Sequence, residues 1–74
     1  MSTVIVTGAG SDIGLAVARK LAALDYNVVV NDYDGDAANK AADDIGGLAV
    51  QGDISNEADV AGMIQACVDA YGPA

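Results

Sequence analysis

A chain of 74 residues has room for one small domain, since at this size only about 60% of the extended-chain surface is buried on folding. A formal charge of −8, with Arg19, Lys20 and Lys40 as the only cations, argues against nucleic acid and anionic membrane as partners. One cysteine, Cys67, and no histidine leave neither a disulfide nor a metal-ligand set to staple so small a fold, so oligomerisation is the expected remedy.

The chain opens with Thr3 to Thr7, in which Val4, Ile5 and Val6 form the continuous β-branched run of a parallel strand buried on both faces. Gly8, Gly10 and Gly14 then punctuate a turn. Residues without a Cβ suit a sharp bend that brings backbone close to a ligand and a helix close to a strand, and such a turn aims backbone N–H groups at an anion, most often a phosphate. Ile13, Val17, Leu21 and Leu24 recur at spacings of four, four and three, which predicts a helix from about Asp12 to Leu24 with this stripe against the sheet. Polar turn residues Asp25, Tyr26 and Asn27 precede a second buried strand, Val28 to Val30. Strand, turn, helix and strand together have the size of a right-handed crossover unit.

Asp34, Gly35 and Asp36 form a turn able to cap the next helix, whose apolar face is Ala37, Ala38, Ala41, Ala42 and Ile45 and whose end is a left-handed cap at Gly46-Gly47. Leu48 to Val50 make a short third strand. A last helix follows, with Ser55 expected as its N-cap, Glu57 and Asp59 at its positive end, and Val60, Met63, Ile64, Cys67, Val68 and Tyr71 as its apolar face. Gly62 within it is read as a site of close packing. Cys67, on the apolar face, reads as a small core residue. The pattern is βαβαβα, an α/β fold with a parallel three-stranded sheet in the order 3-2-1 and helices on both faces.

Two aspartates sharpen the glycine turn. Asp32 ends the second strand 24 residues beyond Gly8, close to the spacing of a ribose-binding acid. A carboxylate there accepts hydrogen bonds from both ribose hydroxyls and repels a 2′-phosphate, and its neighbours Asn31, Tyr33 and Asp34 include no cation, so NAD is the expected cofactor in preference to NADP. Asp53, at the end of the third strand, is placed to face the same crevice and accept from an adenine amino group.

On these residues the chain resembles the N-terminal part of the short-chain dehydrogenase/reductase family over its whole length. T-G-A-G-S-D-I-G resembles the family's T-G-x-x-x-G-x-G cofactor motif, V-V-V-N-D its second strand with the NAD-selecting acid, and G-D-I-S its adenine-contacting D-[IV]-[ST]. The resemblance implies a truncated Rossmann-type domain over residues 1–74. It places Gly8, Ser11, Ile13 and Gly14 at the pyrophosphate turn, Asp32 at the ribose, and Asp53 with Ile54 at the adenine, and Tyr33, beside Asp32, is a further expected cofactor-binding residue. Asp12 stands where the family has its middle glycine and either caps the helix or opposes the phosphates.

The family's acid/base pair, a tyrosine four positions before a lysine, has no counterpart here: Val30 and Ala37 follow Tyr26 and Tyr33 at that offset. Y-G-P-A resembles the connection before the family's fourth strand. The expected function is therefore an NAD- or adenine-nucleotide-binding module without catalytic residues of its own. The alternatives are a self-associating scaffold with no cofactor, and one part of an NAD-dependent oxidoreductase completed by another chain. With the first strand at the sheet edge, a homodimer through Thr3 to Thr7 is expected. No basic leader and no long apolar run are seen, so a cytoplasmic protein is expected.

Overall fold

In the computed structural model, residues 2–72 are described; Met1, Pro73 and Ala74, and with them the last half of Y-G-P-A, lie outside them. The elements are β1 (Thr3–Thr7), α1 (Asp12–Ala23), β2 (Asn27–Asp32), α2 (Gly35–Ile45), β3 (Leu48–Gln51) and α3 (Glu57–Tyr71). The three strands are parallel, in the order β1-β2-β3, with Val4 opposite Val28, Ile5 opposite Val29, and Val29 opposite Leu48. This is the expected βαβαβα pattern and strand order. β2 is central, which explains why Val28, Val29 and Val30 are all buried.

Successive strand residues point to opposite faces. Val6, Val28 and Val30 meet Ala18 of α1 and Ala41 and Ala42 of α2, with Leu15, Leu21, Ala22 and Ile45 packed around them. The alanines let both helices lie close to the strands. On the other face, Thr3 and Ile5 border Ile64, Cys67 and Val68 of α3, where Met63 and Cys67 are buried. Helices therefore cover both faces of the sheet. Burial pushes the Cys67 thiol pKa up, as suits a packing residue.

The helix ends are set by local chemistry, and one of them differs from expectation. Asp34 caps α2, its Oδ1 accepting from the amides of Asp36 and Ala37, and Gly46 ends that helix at φ 70° in the left-handed region. Asn56, not Ser55, caps α3: its Oδ1 accepts from Asp59 N at 3.1 Å, because Ser55 is turned back onto Asp53. Gly62 is no packing site, since a Cβ there would meet nothing within 4 Å. The stripe on α1 is also corrected. Ala18, Leu15 and Leu21 meet the sheet, whereas Ile13 is 81% exposed and Val17 and Leu24 are also exposed. The alanine allows the closer approach, so the helix turns its bulkier residues toward the open side of β1.

One buried polar side chain ties the sheet together at its C-terminal end. Asn31, 1% exposed, donates from Nδ2 to Val50 O at 3.0 Å and Gly52 O at 3.2 Å. Asn31→Ala leaves both carbonyls without that donor and opens a gap beside β3, so urea unfolding should show a loss of about 1–3 kcal/mol.

Candidate functional site

The carboxyl ends of all three strands converge on one crevice of about 200 Å³ lined by Gly8, Asn31, Asp32, Tyr33, Gly52, Asp53 and Ile54. Crevices at this end of a parallel sheet are where α/β folds hold ligands. Four of the residues singled out in the sequence, Asp32, Tyr33, Asp53 and Ile54, thus share one wall system with Gly8. Tyr33, 76% exposed, and Ile54, also exposed, form an open rim.

The glycine turn is closely built. Gly8 has φ 65°, which favours glycine. A Cβ on Gly14 would overlap the Gly8 carbonyl oxygen and lie 2.9 Å from Ala9 Cα, so only glycine lets α1 start so near the turn. Ser11 is the N-cap of α1. Its hydroxyl donates to Gly8 O at 2.8 Å and accepts from Gly14 N at 3.1 Å. Of the two roles open to Asp12, capping belongs to Ser11; Asp12 is exposed in the first turn, where its charge favours the helix dipole. Ser11, Ile13 and Gly14 line a second depression, with Val4, Val6 and Val17, that meets the first at Gly8.

Most amides of this turn are already committed. Ala9 N donates to Asn31 O, Gly10 N to Asp32 Oδ2, Ser11 N to Gly8 O and Gly14 N to Ser11 Oγ. The amides of Asp12 and Ile13, at the start of α1, have no such partner among the described residues. An anion meeting this turn would find those two N–H groups and the positive helix end, and no lysine or arginine borders either depression.

Asp53 is held more firmly than its sequence position suggests. Its Oδ1 accepts from Ser55 N at 2.9 Å and from Ser55 Oγ at 2.7 Å, while its own amide donates to Asp59 Oδ2 at 2.9 Å. The Ser55 hydroxyl and amide hold the Asp53 carboxyl below the ordinary carboxylate range. Asn31, which fixes the far wall through Gly52, was not singled out in the sequence, and Asp59, which holds the Asp53 amide, was singled out only as an acid at the positive end of the last helix. The Asn56-x-x-Asp59 spacing of a capping box was the available signal for Asp59. Asn31 carried none beyond being a polar residue in an apolar strand.

The model of the short chain dehydrogenase family matches residues 2–74. The chain belongs to that family. A curated relative described as ketoacyl reductase 2 of granaticin polyketide synthase, from Streptomyces violaceoruber, is 42% identical over an alignment of length 72 that covers 92% of this chain and 28% of the relative. Among solved structures, the 3-ketoacyl-(acyl-carrier-protein) reductase of Brucella melitensis complexed with NADH is 37% identical at a TM-score of 0.91, covering 96% of this chain and 30% of that one. The hydroxysteroid dehydrogenase of Escherichia coli is 32% identical, also at 0.91, with 96% and 31% covered. The chain thus spans under a third of the length of these relatives, corresponding to the cofactor-binding region of the short-chain dehydrogenase fold. Among the described residues, no helix is long and apolar enough to cross a membrane.

The Asp53 geometry carries a pH consequence. Because its carboxyl pKa is lowered in the folded state, the stability it contributes is present above the ordinary carboxylate range and is lost as pH falls through the lowered value. Ser55→Ala removes the hydroxyl donor, so carboxyl-detected NMR should show the Asp53 pKa rising toward the ordinary range and acid unfolding should begin at higher pH.

Proposed function

We propose that this short-chain dehydrogenase segment binds NAD through its adenosine half, as a nucleotide-binding module without catalytic residues of its own. The observation that carries the reading is the crevice in which Asp32, Tyr33, Asp53 and Ile54 meet the glycine turn at Gly8. In this reading the ribose hydroxyls donate to Asp32, the adenine lies between Ile54 and the strand ends near Asp53, and the pyrophosphate sits over Gly8, Ser11, Asp12, Ile13 and Gly14. The similar Brucella reductase, complexed with NADH, supports a nicotinamide cofactor for this half of the fold. A carboxylate at position 32 with no neighbouring cation favours NAD over NADP.

Isothermal calorimetry tests this directly. NAD, ADP and AMP should bind at up to millimolar concentration and NADP more weakly; no heat from any of the first three overturns the reading. Asp32→Ala should reduce the preference for NAD over NADP by about tenfold, the scale of a hydrogen bond to a charged group.

Hydride transfer to a substrate requires residues this segment does not carry, since neither Tyr26 nor Tyr33 has a lysine four positions on. Oxidoreductase activity is therefore expected only where a catalytic half completes the fold. The single cysteine, buried and free, accords with a reducing, cytoplasmic setting.

A second reading, self-association, is favoured by the free edge of β1. Val4, Ile13 and Val17 on one face and Ile5, Ile64 and Val68 on the other flank that edge with apolar surface, and neither flanking depression is lined by a charged residue. In a chain of charge −8, an uncharged belt is where two copies approach with least repulsion. Two β1 edges related by a two-fold axis would pair antiparallel into one continuous sheet. Light scattering of the 74-residue chain at micromolar concentration should give a dimer mass that Val17→Lys shifts toward monomer; a monomer mass for the unaltered chain refutes this reading.

A further inference from the structure

Asp32 is engaged before any ligand arrives. Its Oδ2 accepts from the amide of Gly10 at 2.8 Å, across 22 residues of sequence, and its Oδ1 accepts from the amide of Asp34 at 3.0 Å. The residue before each member of the longer pair is joined as well, Ala9 N donating to Asn31 O at 2.9 Å. Where β1 bends away and the backbone ladder ends, the side chain of Asp32 supplies the next acceptor in place of a carbonyl.

The turn is shaped for this contact. A Cβ on Gly10 would lie 2.7 Å from Asp32 Oδ2 and 2.5 Å from the Cβ of Ala37, in the first turn of α2. Asp34, held by the other carboxylate oxygen, is itself the cap of α2. One carboxylate therefore joins the β1–α1 turn to the β2–α2 turn. We infer that Asp32 is also a positioning residue for the phosphate turn, its two oxygens fixing Gly10 against Asp34 so that the amides of Asp12 and Ile13 face a common anion. A carboxylate has about four acceptor sites, and these two amides take one on each oxygen. One site on each oxygen remains for a ribose hydroxyl, so the latch and the ribose contact coexist.

The consequence for phosphate binding rests on the cofactor reading above, and the two fail in different ways. The decisive ligand is 2′,3′-dideoxyadenosine 5′-diphosphate, which keeps the adenine and pyrophosphate but offers Asp32 no hydroxyl. If Asp32 served the ribose alone, Asp32→Ala would leave the affinity of this analogue unchanged, or raise it by removing a negative charge near the phosphates. As a positioning residue, its loss should weaken the analogue about tenfold, the scale of one charge-assisted hydrogen bond.

Amide hydrogen exchange on the ligand-free protein is the second readout: Gly10 should lose protection about tenfold in Asp32→Ala while the β2 core amides keep theirs. Asp32→Asn, of the same size, retains one oxygen and should deprotect one of the Gly10 and Asp34 amides even if the alanine variant does not fold. Unchanged protection at Gly10 and Asp34 in the folded variants overturns the inference, as does an analogue affinity that Asp32→Ala does not weaken. If the unaltered chain binds neither ADP nor the analogue, the cofactor reading fails and the exchange of Gly10 alone decides the latch.

Discussion

A parallel sheet must end somewhere, and where it ends each strand leaves backbone groups that its neighbours no longer satisfy. In this chain the last two residues of the central strand meet that requirement on both sides. Asn31 O takes the Ala9 amide and Asn31 Nδ2 reaches Val50 O and Gly52 O; Asp32 O takes the Gly52 amide and Asp32 Oδ2 the Gly10 amide. Backbone and side chain thus alternate as partners, and the turns after β1 and β3 are held apart at a fixed distance across β2. The crevice is the space between them. Its walls are fixed by the same hydrogen bonds that close the sheet, so site and fold are one structure here.

That construction decides how the crevice can treat charge. Asp32 and Asp53 line it, Asp12 stands outside on the first turn of α1, and no cation borders it. Any pull on an anion at the glycine turn therefore falls to the open amides at the start of α1 and the helix dipole, a modest force that salt screens. The crevice itself carries two carboxylates and an apolar rim at Ile54. The Arg19–Asp44 pair, 2.6 Å apart, joins α1 to α2 on the solvent side and, being exposed, adds little to stability.

How much of this was legible in the sequence depends on the kind of force involved. Val4 to Val6 and Val28 to Val30 announced strands because burial demands continuous apolar side chains; Val28 to Val30 are buried as expected, whereas in the edge strand β1 only Val6 is, and the order of the elements then left few topologies. Gly8 and Gly14 were legible because backbone geometry admits little else. The N-cap of α3 was misread at Ser55: Ser55 and Asn56 are both good caps, and only the Asp53 carboxylate, which captures Ser55, separates them. Asn31 was passed over because its partners are carbonyls 19 and 21 residues away, and no local pattern encodes a clasp between strand ends. Asp32 was read from its spacing as a ribose acid, but its hold on Gly10 depends on how far β1 bends, which sequence spacing does not express.

The misassigned stripe on α1 carries the most physical content. Period alone cannot say which part of a wide apolar arc faces a given strand. On α1 the arc runs from Leu15, Ala18 and Ala22, over β1 and β2, round to Ile13 and Val17, beside the free edge of β1. A helix covering only the three strands would need the first part. Side chains as large as Ile13 and Val17 on the second part match a layer that continues past β1, and α3 repeats the feature on the opposite face with Ile64 and Val68. Both helices therefore present apolar side chains beside the free edge of β1. A second copy of this chain, under the self-association reading, would cover that surface, and the crevice at the end of β2 is built without it.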